Sequence, residues 1–253
     1  MPASRCSLAF LRSKSAILAL ALVFTSSLVL AQDSFMFHYT SSGLDGEIVN
    51  QGDFNNDGIP DLVVGNNQGT GGYGISVLLG KGDGRFQNAL NAAKGVGTFA
   101  MAVGDFNGDG KLDVAVAGYV GSEQNVIQIL LGKGDGRFTT GQTITLTKNI
   151  SASSLTAADF NGDGKLDLAM ASPKLLLFKG AGNGTFTQAA SIKVGTQNAL
   201  AQVRTGDFNG DGKADLTISD YYDIYVLFNT DNFTFKTVKV ADAADGIFAA
   251  RPM

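Results

Sequence analysis

One nine-residue acidic loop occurs four times along this chain. The copies read DFNNDGIPD at Asp53–Asp61, DFNGDGKLD at Asp105–Asp113, DFNGDGKLD at Asp159–Asp167 and DFNGDGKAD at Asp207–Asp215. Their starts lie 52, 54 and 48 residues apart. A period near 50 residues is the signature of a repeat array, in which each unit buries its apolar face only against its neighbours. The fold must therefore be built from four similar units, each carrying one loop at the same place.

The loop offers side-chain oxygens at positions 1, 3, 5 and 9. They are Asp53, Asn55, Asp57 and Asp61; Asp105, Asn107, Asp109 and Asp113; Asp159, Asn161, Asp163 and Asp167; and Asp207, Asn209, Asp211 and Asp215. Position 6 is Gly58, Gly110, Gly164 or Gly212, which permits the sharp bend that wraps a short segment around one point. Position 7 (Ile59, Lys111, Lys165, Lys213) can then turn its backbone carbonyl inward. Hard oxygen donors in a flexible loop suit Ca²⁺, about one ion per loop and four in all. Three carboxylates without a counter-charge repel one another, so an empty loop is expected to be strained. An EF-hand opens the same way but needs a Glu at position 12 between two helices. Position 12 here is Val64, Val116, Met170 or Ile218. The flanking DLVVG, DVAVAG, DLAMAS and DLTIS are short and apolar, and read as buried strands. The alternative is a set of plain Asx-rich hairpin turns, which would not require the ninth-position Asp each time.

Composition bounds the rest. Residues 1–31 read as a secretory signal peptide: Arg5, Arg12 and Lys14, then the apolar run Ala16–Leu30, then Val29-Leu30-Ala31 before Gln32. This predicts a secreted, extracellular or periplasmic protein with no membrane span after cleavage; an uncleaved anchor is the alternative. Cys6 is the only cysteine and lies in the leader, so residues 32–253 hold no disulfide, and metal ions would take over that cross-linking. Three of the 19 basic residues also lie there, leaving 16 against 23 acids, a net charge of −7. Twelve of the acids sit in the four loops, so the acidity belongs to the sites. No basic run or recognition motif supports nucleic-acid binding.

A second marker follows each loop: VLLGKGDGRF (Val77–Phe86), ILLGKGDGRF (Ile129–Phe138), LLFKGAGNGTF (Leu176–Phe186) and VLFNTDNFTF (Val226–Phe235). Each is an apolar strand running into a tight turn. One repeat then reads as strand A (Gly97–Val103), the acidic loop, strand B (Val114–Gly118), strand C (Val126–Leu131), the Gly-rich turn and strand D (Phe138–Leu146). A four-stranded antiparallel unit repeated radially is a propeller blade. The fold expected is all-β, a β-propeller of about four blades near 46–94, 97–147, 151–195 and 199–242 within a single domain, 32–253.

With these residues, the chain resembles the FG-GAP/VCBS repeat family, known from the propeller heads of integrin α subunits. The resemblance implies that a D-x-[DN]-x-D-G-x-x-D loop between strands A and B binds Ca²⁺, and all four copies match it. It covers roughly residues 33–250. The Phe-Gly and Gly-Ala-Pro signatures are degenerate, and such propellers commonly have more blades. Asp33–Phe37 reads as a strand D and Gly246–Ala249 as a strand A. This points to a partial or truncated propeller whose open edges favour self-association.

No catalytic constellation is visible. His38 is the only histidine, and there is no Cys or His pair for zinc. GKGDG lacks the Lys-Ser/Thr of a phosphate loop, so it reads as a turn. By topology the acidic loops share one face with the Gly-rich turns. The variable B–C connections lie on the other, with Tyr73, Tyr119, Tyr221 and Tyr222. Those aromatics would either stack on a protein or carbohydrate ligand or cap the blades. The reading is a calcium-stabilised binding or adhesion module. A propeller of a polysaccharide-acting enzyme and a structural spacer are the alternatives.

Overall fold

The computed structural model describes residues 48–66, 74–121, 124–147, 150–195, 200–220 and 222–242. The expected leader, the strands at Asp33–Phe37 and Gly246–Ala249, His38, Tyr73 and Tyr221 lie outside these residues. Among the described residues there are strands and turns and no helix, hence none long and apolar enough to cross a membrane.

Among the described residues sixteen strands form four sheets of four. Blade 1 holds β1 (Ile48–Gly52), β2 (Asp61–Asn66), β3 (Gly74–Leu78) and β4 (Leu90–Lys94). Blade 2 holds β5 (Gly97–Gly104), β6 (Asp113–Val120), β7 (Gln124–Gly132) and β8 (Phe138–Thr145). Blade 3 holds β9 (Ser154–Ala158), β10 (Asp167–Ala171), β11 (Leu175–Gly180) and β12 (Phe186–Ile192). Blade 4 holds β13 (Gln202–Gly206), β14 (Asp215–Ser219), β15 (Asp223–Asp231) and β16 (Thr234–Asp242). Every sheet is an antiparallel meander in chain order. The expected all-β propeller architecture is thus the one observed, and its sheets do not close into a ring. Each blade shifts register between its third and fourth strands, at Ile75/Ser76, Gln128/Leu130, Leu177/Phe178 and Ile224/Tyr225, and blade 4 does so again at Asn229/Asp231. Such a bulge adds local twist.

The innermost strands β1, β5, β9 and β13 lie side by side in chain order. They border a cavity of about 600 Å³ that includes Asn50, Gln51, Thr156, Gln202 and Arg204. Strand residues alternate between faces, and because blades 2 and 3 are covered on both sides their second and third strands are apolar along most of their length. In β7, Val126 and Leu130 pack toward blade 1 while Ile127 and Ile129 pack toward blade 3. In β11, Leu176 and Phe178 face blade 2 while Leu175 and Leu177 face blade 4. Three apolar seams result, one between each pair of successive blades. Each fully buried Leu, Ile or Phe contributes roughly 1.5–3 kcal/mol of transfer free energy, so these seams hold the array together.

Candidate metal-binding loops

All four acidic loops connect the first and second strands of a blade, and they fold alike. The position-1 carboxylate accepts from the loop's interior N–H groups. In the second loop Asp105 Oδ1 accepts from Gly108 (2.7 Å) and Asp109 (3.2 Å), and Oδ2 from Gly110 (2.8 Å). Asn107 Oδ1 accepts from Asp109 N–H at 2.9 Å, and Asp109 Oδ1 from Lys111 N–H at 3.0 Å. The third and fourth loops repeat this around Asp159, Asn161, Asp163 and Lys165 and around Asp207, Asn209, Asp211 and Lys213. In the first loop Asp53, Asn55, Asp57 and Ile59 make the same bonds, except that position 4 does not donate.

Two backbone positions make this winding possible. Position 6 is left-handed as expected, with Gly110 at φ 79°. Position 4 is left-handed too, and the sequence argument missed it. Gly108, Gly162 and Gly210 sit there near φ 75°, and Asn56 takes φ 59° in the first loop. The signal was present, since Gly and Asn are the residues that enter this region most readily.

Position 9 is set apart from the other three. Asp61, Asp113, Asp167 and Asp215 are fully buried at the start of the second strand. One oxygen accepts from the position-2 N–H: Phe54, Phe106, Phe160 or Phe208, at 2.9–3.0 Å. The other accepts from the end of the third strand: Gly80, Gly132, Gly180 or Asn229, at 2.7–2.8 Å. The carboxylate is a latch that ties loop, second strand and third strand together. Burial pushes the carboxyl groups of Asp61, Asp113 and Asp167 above the usual range, against the pull of these two N–H bonds.

The exposed carboxylates have other partners. The second oxygen of position 5 meets Lys179 at 3.1 Å in Asp163 and Lys111 at 3.7 Å in Asp109. In the first and fourth loops it accepts from the position-3 amide, Asn55 or Asn209. The Lys179 bond holds Asp163 below its ordinary value, and the N–H groups of Gly212, Gly210 and Asp211 do so for Asp207. The expected repulsion is therefore met by the loop's own N–H and amide groups and, at Asp163, by Lys179 of the third strand. Among the described residues no three His, Cys, Asp or Glu side chains gather closely enough to hold a metal. In kind, the donors still fit a hard cation: every loop presents Asp, Asn and Asp oxygens at positions 1, 3 and 5. Such an ion would compete with N–H groups for these oxygens, while position 9 already spends both of its own.

The loops also join the blades. Gly136 N–H, in the turn after the third strand of blade 2, donates to Phe54 O at 3.0 Å. Gly184 N–H does the same to Phe106 O at 2.8 Å. In blade 4 the Asn229 Nδ2 amide substitutes, donating to Phe160 O at 3.0 Å. Three of the four position-2 rings pack edge-on against an aromatic at the start of the next blade's fourth strand: Phe54 on Phe138, Phe106 on Phe186 and Phe160 on Phe235, with centroids 5.9, 5.4 and 6.3 Å apart. Acidic loops and Gly-rich turns thus share one end of the blades. At the other end Tyr119 packs on Phe99 at 5.2 Å, a capping role, whereas Tyr222 is 61% exposed.

No curated protein matches this sequence. Among solved structures, an Agrocybe aegerita lectin that recognises non-reducing terminal N-acetylglucosamine aligns with a TM-score of 0.51 at 18% identity, over 83% of this chain and 56% of that one. BBS1N, solved in complex with ARL6DN, aligns with a TM-score of 0.52 at 11% identity, over 81% and 60%. This chain therefore spans less than two thirds of either, and the likeness is one of fold. A family model of FG-GAP-like repeats matches residues 53–116, 105–170 and 171–218, each match taking in acidic loops or the strands that follow them. Those matches span well over half of the sequence, and the chain belongs to the FG-GAP-like repeat family.

Proposed function

We propose that this chain is a secreted, non-catalytic binding module whose blades are stiffened by calcium in the four loops. The observation that carries the reading is the coupling of the first three loops to the next blade through their position-2 residues, which makes loop rigidity a property of the array. Positions 1, 3 and 5 would hold the ion, with the position-7 carbonyl and the position-9 carboxylate as the remaining donors expected from the sequence. A bound calcium ion would supply two positive charges to a loop carrying three carboxylates. The chain's own residues do the rest: position 9 anchors the loop to the sheet, the glycines at 4 and 6 let it wind, and the phenylalanine clamps the neighbouring blade. Affinity in the range of extracellular modules, ~10⁻⁴–10⁻³ M, would suit such a structural ion.

Recognition is assigned to the end opposite the loops, where the blades differ most and Tyr222 is exposed. The ligand class is a protein or carbohydrate surface. The lectin's sugar recognition lends the carbohydrate option support, because its blades resemble these in fold. No histidine or cysteine occurs among the described residues, which favours binding over catalysis. The test is equilibrium dialysis of calcium, followed by glycan-array binding with the wild type and a Tyr222→Ala variant. The reading expects about four ions per chain and a glycan signal that falls at least tenfold in the variant. Absence of bound calcium at millimolar concentration would contradict the metal half. A glycan signal unchanged by the substitution would contradict the placement of the ligand face.

A further inference from the structure

We infer that Lys179 is a built-in counter-ion of the third acidic loop, so that this loop is the last of the four to fill with calcium. The inference rests on the reading that the loops hold calcium, and it ranks them by what the chain already neutralises without an ion. Asp163 uses Oδ1 to accept from Lys165 N–H and turns Oδ2 to Lys179 Nζ at 3.1 Å. The other loops settle the same position-5 oxygen differently. Asn55 and Asn209 donate to it through their own side-chain amides, at 2.8 Å to Asp57 and 3.0 Å to Asp211. In the second loop Lys111 Nζ lies 3.7 Å from Asp109 Oδ2, too far for a hydrogen bond. In the third loop the position-3 amide has lost its place. Asn161 Nδ2 is buried and, among the described residues, has no hydrogen-bond partner. Leaving a buried donor unpaired is unfavourable. The charge-assisted bond from the ammonium is the stronger of the two, and it has displaced the amide.

Lys179 is placed by the sheet rather than by the loop. It precedes Gly180, whose N–H donates to the position-9 carboxylate of Asp167 at 2.8 Å, and it pairs with Thr187 of the fourth strand. The residues that precede the corresponding donors Gly80, Gly132 and Asn229 are Leu79, Leu131 and Phe228. Leu79 and Leu131 pack against the seams to the next blade. Blade 3 thus carries a charge, directed at its own acidic loop, where the other blades are apolar. Strand pairing on one side and the aspartate latch on the other fix the backbone at Lys179. Only side-chain rotation can move the ammonium away. An ion that draws on Asp163 either takes Oδ2 from Lys179 or sits beside its charge. Like charges a few ångströms apart repel even in water. The third loop is therefore satisfied when empty, and it should bind calcium about tenfold more weakly than the other three.

Equilibrium dialysis of the full chain across calcium concentrations tests this, read as ions bound per chain. The wild type should bind about three ions in a first step and about one more at roughly tenfold higher calcium. Lys179→Leu, which gives blade 3 the side chain blade 2 carries there, should merge the steps into one of about four ions. Lys179→Gln should do the same while keeping a polar stem. Lys179→Arg retains the charge and should retain the late step. Adding Asp163→Asn to Lys179→Leu should remove about one ion from the merged step, which places the gain in the third loop. A wild type that binds about four ions in a single step, unchanged by Lys179→Leu, overturns the inference and leaves the calcium reading standing. So does a late step that persists in both Lys179→Leu and Lys179→Gln. No bound calcium in any of these proteins overturns the inference together with the reading it rests on.

Discussion

At the scale of single residues, the acidic loop contains two kinds of aspartate that the sequence alone presents as one. Asp109 is exposed and faces the loop's own N–H groups, while Asp113 is fully buried and satisfies Phe106 and Gly132. Removing a buried acceptor leaves its donors unpaired, at about 1–3 kcal/mol each. Asp113→Ala should therefore destabilise the protein by roughly 2–5 kcal/mol already in chelator. Asp109→Ala should cost little in chelator and lose its share of any calcium response. Urea unfolding of both variants in both conditions reads this directly. Equal behaviour of the two would deny position 9 its separate role. Tyr225 offers a test by pH. Burial and its 3.0 Å bond to Asp223 push its hydroxyl up to about 12 from 10.0. Between these values the unfolded chain loses the proton and the folded chain keeps it, so stability falls as pH rises. The contribution is fully present below pH 10. Thermal midpoints should therefore fall more steeply across pH 10–12 in the wild type than in Tyr225→Phe; parallel curves would refute the assignment.

Individual elements show how much the sequence discloses. The second strand of blade 2 reads as Val114–Gly118 and extends over Asp113–Val120; the third reads as Val126–Leu131 and extends over Gln124–Gly132. Apolar runs bounded by glycine mark such strands well, because strands covered on both faces need apolar residues throughout. Contacts between repeats were not legible. Phe106 recurs at position 2 of every loop, but its packing partner Phe186 lies 80 residues further on, and only the blade stacking brings them together. The position-9 aspartate reads as a ligand by its spacing; its bond to Gly132 depends on strand pairing that no local pattern encodes. Gly132 itself is a case in point. It reads as part of a turn, but an added Cβ would lie 2.1 Å from the carbonyl oxygen of Leu112. Gly80 and Gly180 meet Pro60 and Leu166 in the same way. In blade 4, Asn229 takes this place and its amide donates to Ala214 O at 3.1 Å. Gly132→Ala should thus cost about 1–3 kcal/mol or more through overpacking against backbone that cannot yield. A chemical-denaturation midpoint unchanged from wild type would contradict that close approach.

Across the whole molecule, stability is distributed over three apolar seams, and each seam is pinned at one end by an acidic loop. A repeat array behaves approximately as a sum of unit stabilities and neighbour terms, so tightening four loops should act on every seam at once. The family and fold follow from the repeat, the blades and the matching family model; calcium in the loops is the proposed source of their rigidity. The decisive measurement is thermal unfolding in chelator and then across a calcium titration, with Asp109→Ala and Asp163→Ala alongside. An ion at a hundredfold excess over its dissociation constant stabilises by about 2.7 kcal/mol per site. For a domain of this size each kcal/mol raises the midpoint by about 2–4 °C. The account predicts a rise of about 5–10 °C for each filled loop, with one loop's share missing in each variant. A folded protein whose midpoint does not respond to calcium would contradict it, leaving the four loops as hydrogen-bonded turns that hold the blades together unaided.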